Sequence, residues 1–241
     1  MNRLWEVDIL RGIAIILMII FNYSFALSFL NIYTINSGSF YWYVFPSIIA
    51  GMFISISGLS LTLSYNQIKS KKEVHKRFFL RGLKIFSLGM LITIVTFLTF
   101  PEAFIIFGIL HLIGFSIIFG QFFVKFKRLN LLLGILLILL GFYLQNFRFD
   151  FPWLLWLGFI PKDYLTFDYF PILPWFGVSL LGIFFGNILY NKGKRNFKIR
   201  DFSDTLVVKI LSFLGRNSLT IYLLHQPILI LILLTLGFKV F

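Results

Sequence analysis

The sequence predicts an all-α polytopic membrane bundle of about seven transmembrane helices, forming a single domain over residues 1–241. Three observations lead there. The chain is 59% hydrophobic and 13% charged, with 33 phenylalanines, more apolar surface than a water-soluble domain of its size can hide. The apolar residues fall in blocks of about twenty, the length at which a helix rising about 1.5 Å per residue crosses roughly 30 Å of hydrocarbon. No stretch shows the alternation over about ten residues that marks a membrane β-strand. With no cysteine, disulfides, thiolate nucleophiles and cysteine metal sites are excluded, and no other metal site is expected.

Seven spans account for the pattern: 8–30, 41–65, 80–100, 103–124, 129–146, 171–190 and 216–237. Residues 152–160, PWLLWLGFI, are apolar but too short to cross and are expected in the interface. Leu206 to Leu214 reads as an amphipathic turn on the membrane surface, with Gly215 breaking the helix. The basic residues give a direction. If the spans alternate, 19 of the 22 Lys and Arg fall on one side, which the positive-inside rule makes cytoplasmic. Arg148, Lys162 and Lys239 fall on the other. The N-terminus is therefore expected inside and the C-terminus outside. The net charge of +13 is mainly this topology signal, with attraction of anionic lipid heads or a phosphate-bearing substrate as its second use; no nucleic-acid partner is expected. The first span reads as an uncleaved anchor, because Glu6 and Asp8 sit among its arginines. Internal repeats, low-complexity tracts and interdomain linkers are absent from the sequence.

Polar residues interrupt these spans at helical spacing. Asp8, Arg11, Ile15, Met18 and Asn22 share one face of the first span, with its polar ends about 21 Å apart. Such a stripe is costly toward lipid and is expected to face the bundle interior. Asp8 and Arg11 read either as a neutralised topology anchor or as a polar gate, and Asn22 either as a helix-joining amide or as a site residue. In the last span, GRNSLTIYLLHQP, Asn217 or Ser218 is placed to cap the helix, and Ser218, Tyr222 and His225 follow on one face. His225 then lies about 12 Å deep, where an imidazole is expensive without a partner and is suited to proton transfer. His111, in GILHLIG, enters to about the same depth from the other side, between Gly108 and Gly114. His75 lies in a basic loop and is expected to be solvated. Ser47, Gly51, Ser55, Gly58 and Thr62, and separately Gly182 and Gly186, read as helix-packing faces. The outer loop 147–170 mixes aromatics with Asp150, Asp163 and Asp168: an interfacial belt, or a platform for a sugar or lipid head group.

Several of these stretches carry a resemblance. EVDILRGIAIILMIIFNY, the FP before the small-residue span at 45–62, RGLKIFSLGMLI, FGILHLIG, DYFPILPWFG and GRNSLTIYLLHQ occur in the order found in the transmembrane acyltransferase superfamily. The chain resembles heparan-α-glucosaminide N-acetyltransferase and its short prokaryotic relatives. The resemblance implies a membrane enzyme moving an acetyl or other acyl group from cytosolic acyl-CoA, a cosubstrate and not a resident cofactor, to an amine or hydroxyl of a sugar or lipid-linked acceptor. It matches Asn22 and His225 to family positions, and these two with His111 are the catalytic candidates. Asp8, Arg11, Arg81, Ser218 and Tyr222 are candidates to meet the donor. In that scheme His225 or His111 removes the acceptor proton, and Asn22 donates to the oxyanion. The family's loop histidine has no counterpart: residues 31–43 hold none, and the nearest alignable position is Tyr33. His111 stands where the animal enzyme has a glutamine. Lipids are the expected surroundings, in the cell membrane, with a homodimer as a compatible assembly. A proton-coupled transporter or flippase-like carrier also fits two buried histidines, although such proteins often show internal repeats. A catalytically inactive membrane protein is the third reading.

Overall fold

The computed structural model describes residues 4–33, 38, 40–68, 71–191 and 193–238. Its main elements are helices: α1 (Trp5–Phe29), α2 (Phe45–Gln67) entered through a π-helical turn (Phe40–Val44), α3 (Lys71–Thr99), α4 (Ile109–Gly120), α5 (Lys127–Leu144), α6 (Ile172–Leu189), α7 (Leu206–Arg216) and α8 (Ser218–Thr235). A two-residue antiparallel pairing of Tyr190–Asn191 with Lys194–Arg195 follows α6. Among the described residues, six helices are long and apolar enough to cross a membrane. Arg3, Lys69, Lys192 and Lys239, used above for orientation, lie outside the described residues, as does part of loop 31–43.

The fourth predicted span, 103–124, differs in kind. It is helical only over the 12 residues Ile109–Gly120, about 18 Å of rise. Its flanks make up the length. The Ile105 amide donates to Thr96 Oγ1 at 3.1 Å, His111 packs on Gly89, Gly114 meets Gly82, and Gln121 Oε1 reaches His75 Nδ1 at 3.0 Å. Residues 105–121 thus run antiparallel to α3 from Thr96 to His75, about 31 Å. A shorter helix led in by extended chain covers the same distance. His75 is accordingly not merely solvated: it is bonded to Gln121 and stacked 5.5 Å from the Phe122 ring.

The chain forms two compact units, residues 1–53 with 199–241, and residues 54–198. In the larger unit glycines set the helix crossings. A Cβ on Gly58 would lie 2.2 Å from the Ser179 carbonyl oxygen, and one on Gly182 the same distance from that of Ser55, so α2 and α6 touch backbone to backbone. The small-residue spacing predicted this packing face. Gly134 and Gly177 bring α5 onto α6 in the same way.

In the smaller unit, α7 is a complete helix and Gly215 does not break it. A Cβ on Gly215 would stand 1.9 Å from the Asp8 carbonyl oxygen, and one on Gly12 2.1 Å from that of Leu211. Gly215 is the contact point of α7 on α1, and the helix ends two residues later than predicted, at Arg216. Ile15, Met18 and Ile49 are buried beside this crossing, covered by Phe21, Phe45, Leu214 and Tyr222. Farther along α1, Tyr23, Ala26 and Leu27 pack on Leu229 and Leu233 of α8. Replacing Gly215 with Ala should cost about 1–3 kcal/mol through overpacking. A lower unfolding midpoint of the purified protein reads this out. Gly51→Ala, whose Cβ meets nothing within 4 Å, should leave the midpoint unchanged or raised.

Candidate active site

The smaller unit contains five predicted site residues together with Asn22. At one end of α1, Asp8 is buried (6% exposed) and accepts from two guanidinium groups. Arg11 Nη1 lies 3.4 Å from Oδ1, and Arg216 Nε lies 3.2 Å from Oδ2. The i, i+3 pair was legible in the sequence, but Arg216 was not; its only signal was its place in the G-R-N-S run. Neither Asn217 nor Ser218 caps α8 with its side chain. Asn217 instead donates to the Phe213 carbonyl at 2.9 Å and closes the end of α7.

His225 lies on the buried face of α8, three residues after Tyr222, whose carbonyl pairs with its Nδ1. A carbonyl can only accept, so Nδ1 carries the proton and Nε2 keeps its lone pair. Among the described residues, that Nε2 is buried without a hydrogen-bond partner. Pro227, two residues on, has no N–H, which removes the intrahelical donor for the Leu223 carbonyl. Tyr23 of α1 donates its hydroxyl to the His225 carbonyl at 3.3 Å. Asn22, the neighbour of Tyr23, is half-buried and donates one amide hydrogen to the Met18 carbonyl at 3.0 Å, which leaves the second N–H and the Oδ1.

His111 and Arg81 belong to the larger unit. Both ring nitrogens of His111 are engaged. Its Nδ1 accepts from the Gly108 amide at 3.2 Å, so Nε2 bears the proton and faces Thr93 Oγ1 at 3.4 Å. The ring stacks on Phe107 at 5.4 Å and meets the edge of Phe86 at 5.1 Å. It caps α4, as does Asp168, whose Oδ2 accepts from the next amide, Ile109, at 2.9 Å. Loop 147–170 delivers that carboxylate: Phe167 and Phe170 donate their amides to the Ala103 and Phe107 carbonyls, and Thr166 donates its hydroxyl to Phe104. Of the loop's aspartates, Asp168 is committed to the cap, and exposed Asp150 pairs with Lys162 at 2.6 Å. Arg81 is exposed on α3, and Tyr33 is 66% exposed.

Burial pushes the Asp168 carboxyl up to about 6, partly opposed by the Ile109 amide. Since the folded value lies above the unfolded one of 3.8, folding is favoured by protonation. The stability this group contributes is complete below about pH 4 and is lost as pH rises through about 6, on the order of 3 kcal/mol. Asp168→Asn, which keeps an acceptor for Ile109 without the charge, should flatten the unfolding midpoint across that interval.

A family model described as heparan-alpha-glucosaminide N-acetyltransferase, catalytic, matches residues 3–227. No curated protein and no solved structure matches the chain. The matched region contains both units' site residues, from Asp8 and Asn22 in α1 to His225 in α8. Its length and its apolar helices make this a multi-pass membrane protein of acetyltransferase type. The chain belongs to the heparan-α-glucosaminide N-acetyltransferase catalytic-domain family.

Proposed function

We propose that this protein is a cell-membrane acyltransferase that takes an acetyl or related acyl group from cytosolic acyl-CoA and places it on an amine or hydroxyl of a sugar-type acceptor. The observation that carries the proposal is His225: one ring nitrogen fixed on a carbonyl, the other buried with its lone pair unused. A structural histidine in an apolar helix satisfies both nitrogens, as His111 does. A general base keeps one available.

In this reading the acceptor N–H or O–H gives its proton to His225 Nε2 as the heteroatom attacks the thioester carbonyl carbon. The carbon–sulfur bond then breaks, and the imidazolium returns the proton to the departing thiolate. The second amide hydrogen of Asn22 serves the developing oxyanion. No acyl-histidine intermediate is required, which suits a chain without the family's loop histidine. The donor approaches from the basic, cytoplasmic side, past Asp8 and Arg11; Ser218 and Tyr222 line the helix that leads to His225. His111 acts through α4 as a cap.

Purified protein with labelled acetyl-CoA and an amino sugar tests this. Replacing His225 with Ala should lower transfer by about 10²–10⁴-fold without lowering the unfolding midpoint. His111→Ala should lower the midpoint first, because it uncaps α4. Transfer that survives His225→Ala would overturn the assignment, and solute flux in liposomes without CoA binding would favour a carrier.

A further inference from the structure

The two guanidiniums on Asp8 are more than that carboxylate needs. Arg11, one turn away on the same helix, already neutralises it. Arg216 comes from 208 residues away, on a helix brought to backbone contact by Gly12 and Gly215. Arg216 shares a buried carboxylate with Arg11, so it helps to neutralise Asp8 and at the same time leaves the trio with surplus positive charge. Arg216 meets Asp8 through Nε, and its side chain is 47% exposed while that of Asp8 is 9% exposed. The inner edge of the guanidinium is therefore anchored on a buried carboxylate. The two Nη groups keep donors for another acceptor. A planar fork anchored at one edge and open at the other suits an oxyanion with several oxygens, above all a phosphate. The trio carries one net positive charge. Arg216 ends α7, one residue before α8 starts at Ser218, and His225 lies seven residues into α8, about 10 Å along its axis. Base and cation belong to one compact unit.

We propose that Arg216, aimed by Asp8, is a phosphate seat at the end of the smaller unit where α1 begins. Arg216 is the binding residue, and Asp8 is the positioning residue. The proposal rests on the acyltransferase reading for its first ligand, the phosphates of acyl-CoA. The head group of an anionic phospholipid presents the same chemistry from a second source.

The test uses the full-length protein in nanodiscs. Affinity is measured for CoA and for 3′-dephospho-CoA, in discs of phosphatidylcholine and of phosphatidylglycerol. The wild type should prefer one phosphate-bearing partner by about tenfold, as expected for a charged hydrogen bond. Preference for CoA over its dephospho form names the acyl donor as the source. Stronger retention of phosphatidylglycerol names the lipid. Arg216→Gln should bring the preference close to one, and Arg216→Lys should keep part of it. Asp8→Asn should raise the KM for acetyl-CoA more than it lowers kcat. A folded Arg216→Gln protein that retains both preferences overturns the seat and leaves the acyltransferase reading standing. A wild type without affinity for CoA sinks the donor source and that reading together, and phosphatidylglycerol retention then decides the seat alone.

Discussion

A carboxylate can stay buried at the start of a membrane helix only if cations reach it, and the smaller unit is arranged around that requirement. Asp8 is reached because Gly12 and Gly215 have no side chains. Their absence lets α1 and α7 close to backbone contact, which brings Arg216 beside the carboxylate. The crossing also fixes where α8 begins, since Asn217 alone separates the two helices. From there Ser218, Tyr222 and His225 follow at helical intervals. The distance between a cationic end and a buried imidazole is thus set by one crossing and one connecting residue.

The larger unit solves a different problem, the unsatisfied amides at the head of a short helix. The first helical donors of α4 cannot be left bare in an apolar layer. His111 takes the Gly108 amide, and Asp168 takes that of Ile109. The two histidines of apolar segments therefore divide their work. Both use Nδ1 on backbone, but His111 accepts from an amide and spends its other nitrogen on Thr93, whereas His225 donates to a carbonyl and retains a free lone pair.

Much of this was legible in the sequence because it depends on local periodicity. The helical class, the Asp8–Arg11 pair and the place of His225 on the face of Tyr222 follow from spacing along one helix. The packing role of Gly58 and Gly182 was equally visible. What was hidden depends on partners far apart in the chain. Nothing near Arg216 announces Asp8, and nothing near His111 says that its ring serves the amide three residues earlier. Gly215 looked like a helix breaker because glycine usually is one, and only the neighbouring helix shows that it is a contact. The fourth span looked full-length because hydropathy cannot distinguish helix from apolar chain that runs extended before it and turns after it.

The cap of α4 bears on how the protein is made. The Ile109 donor depends on a carboxylate 59 residues downstream, near the end of the loop that follows α5. A helix of 12 residues that lacks this partner is poorly suited to rest in lipid by itself. Completion of α4 must therefore wait until α5 has been threaded and loop 147–170 has folded back. The head of α4 thus acquires its last partner only once residue 168 has been made.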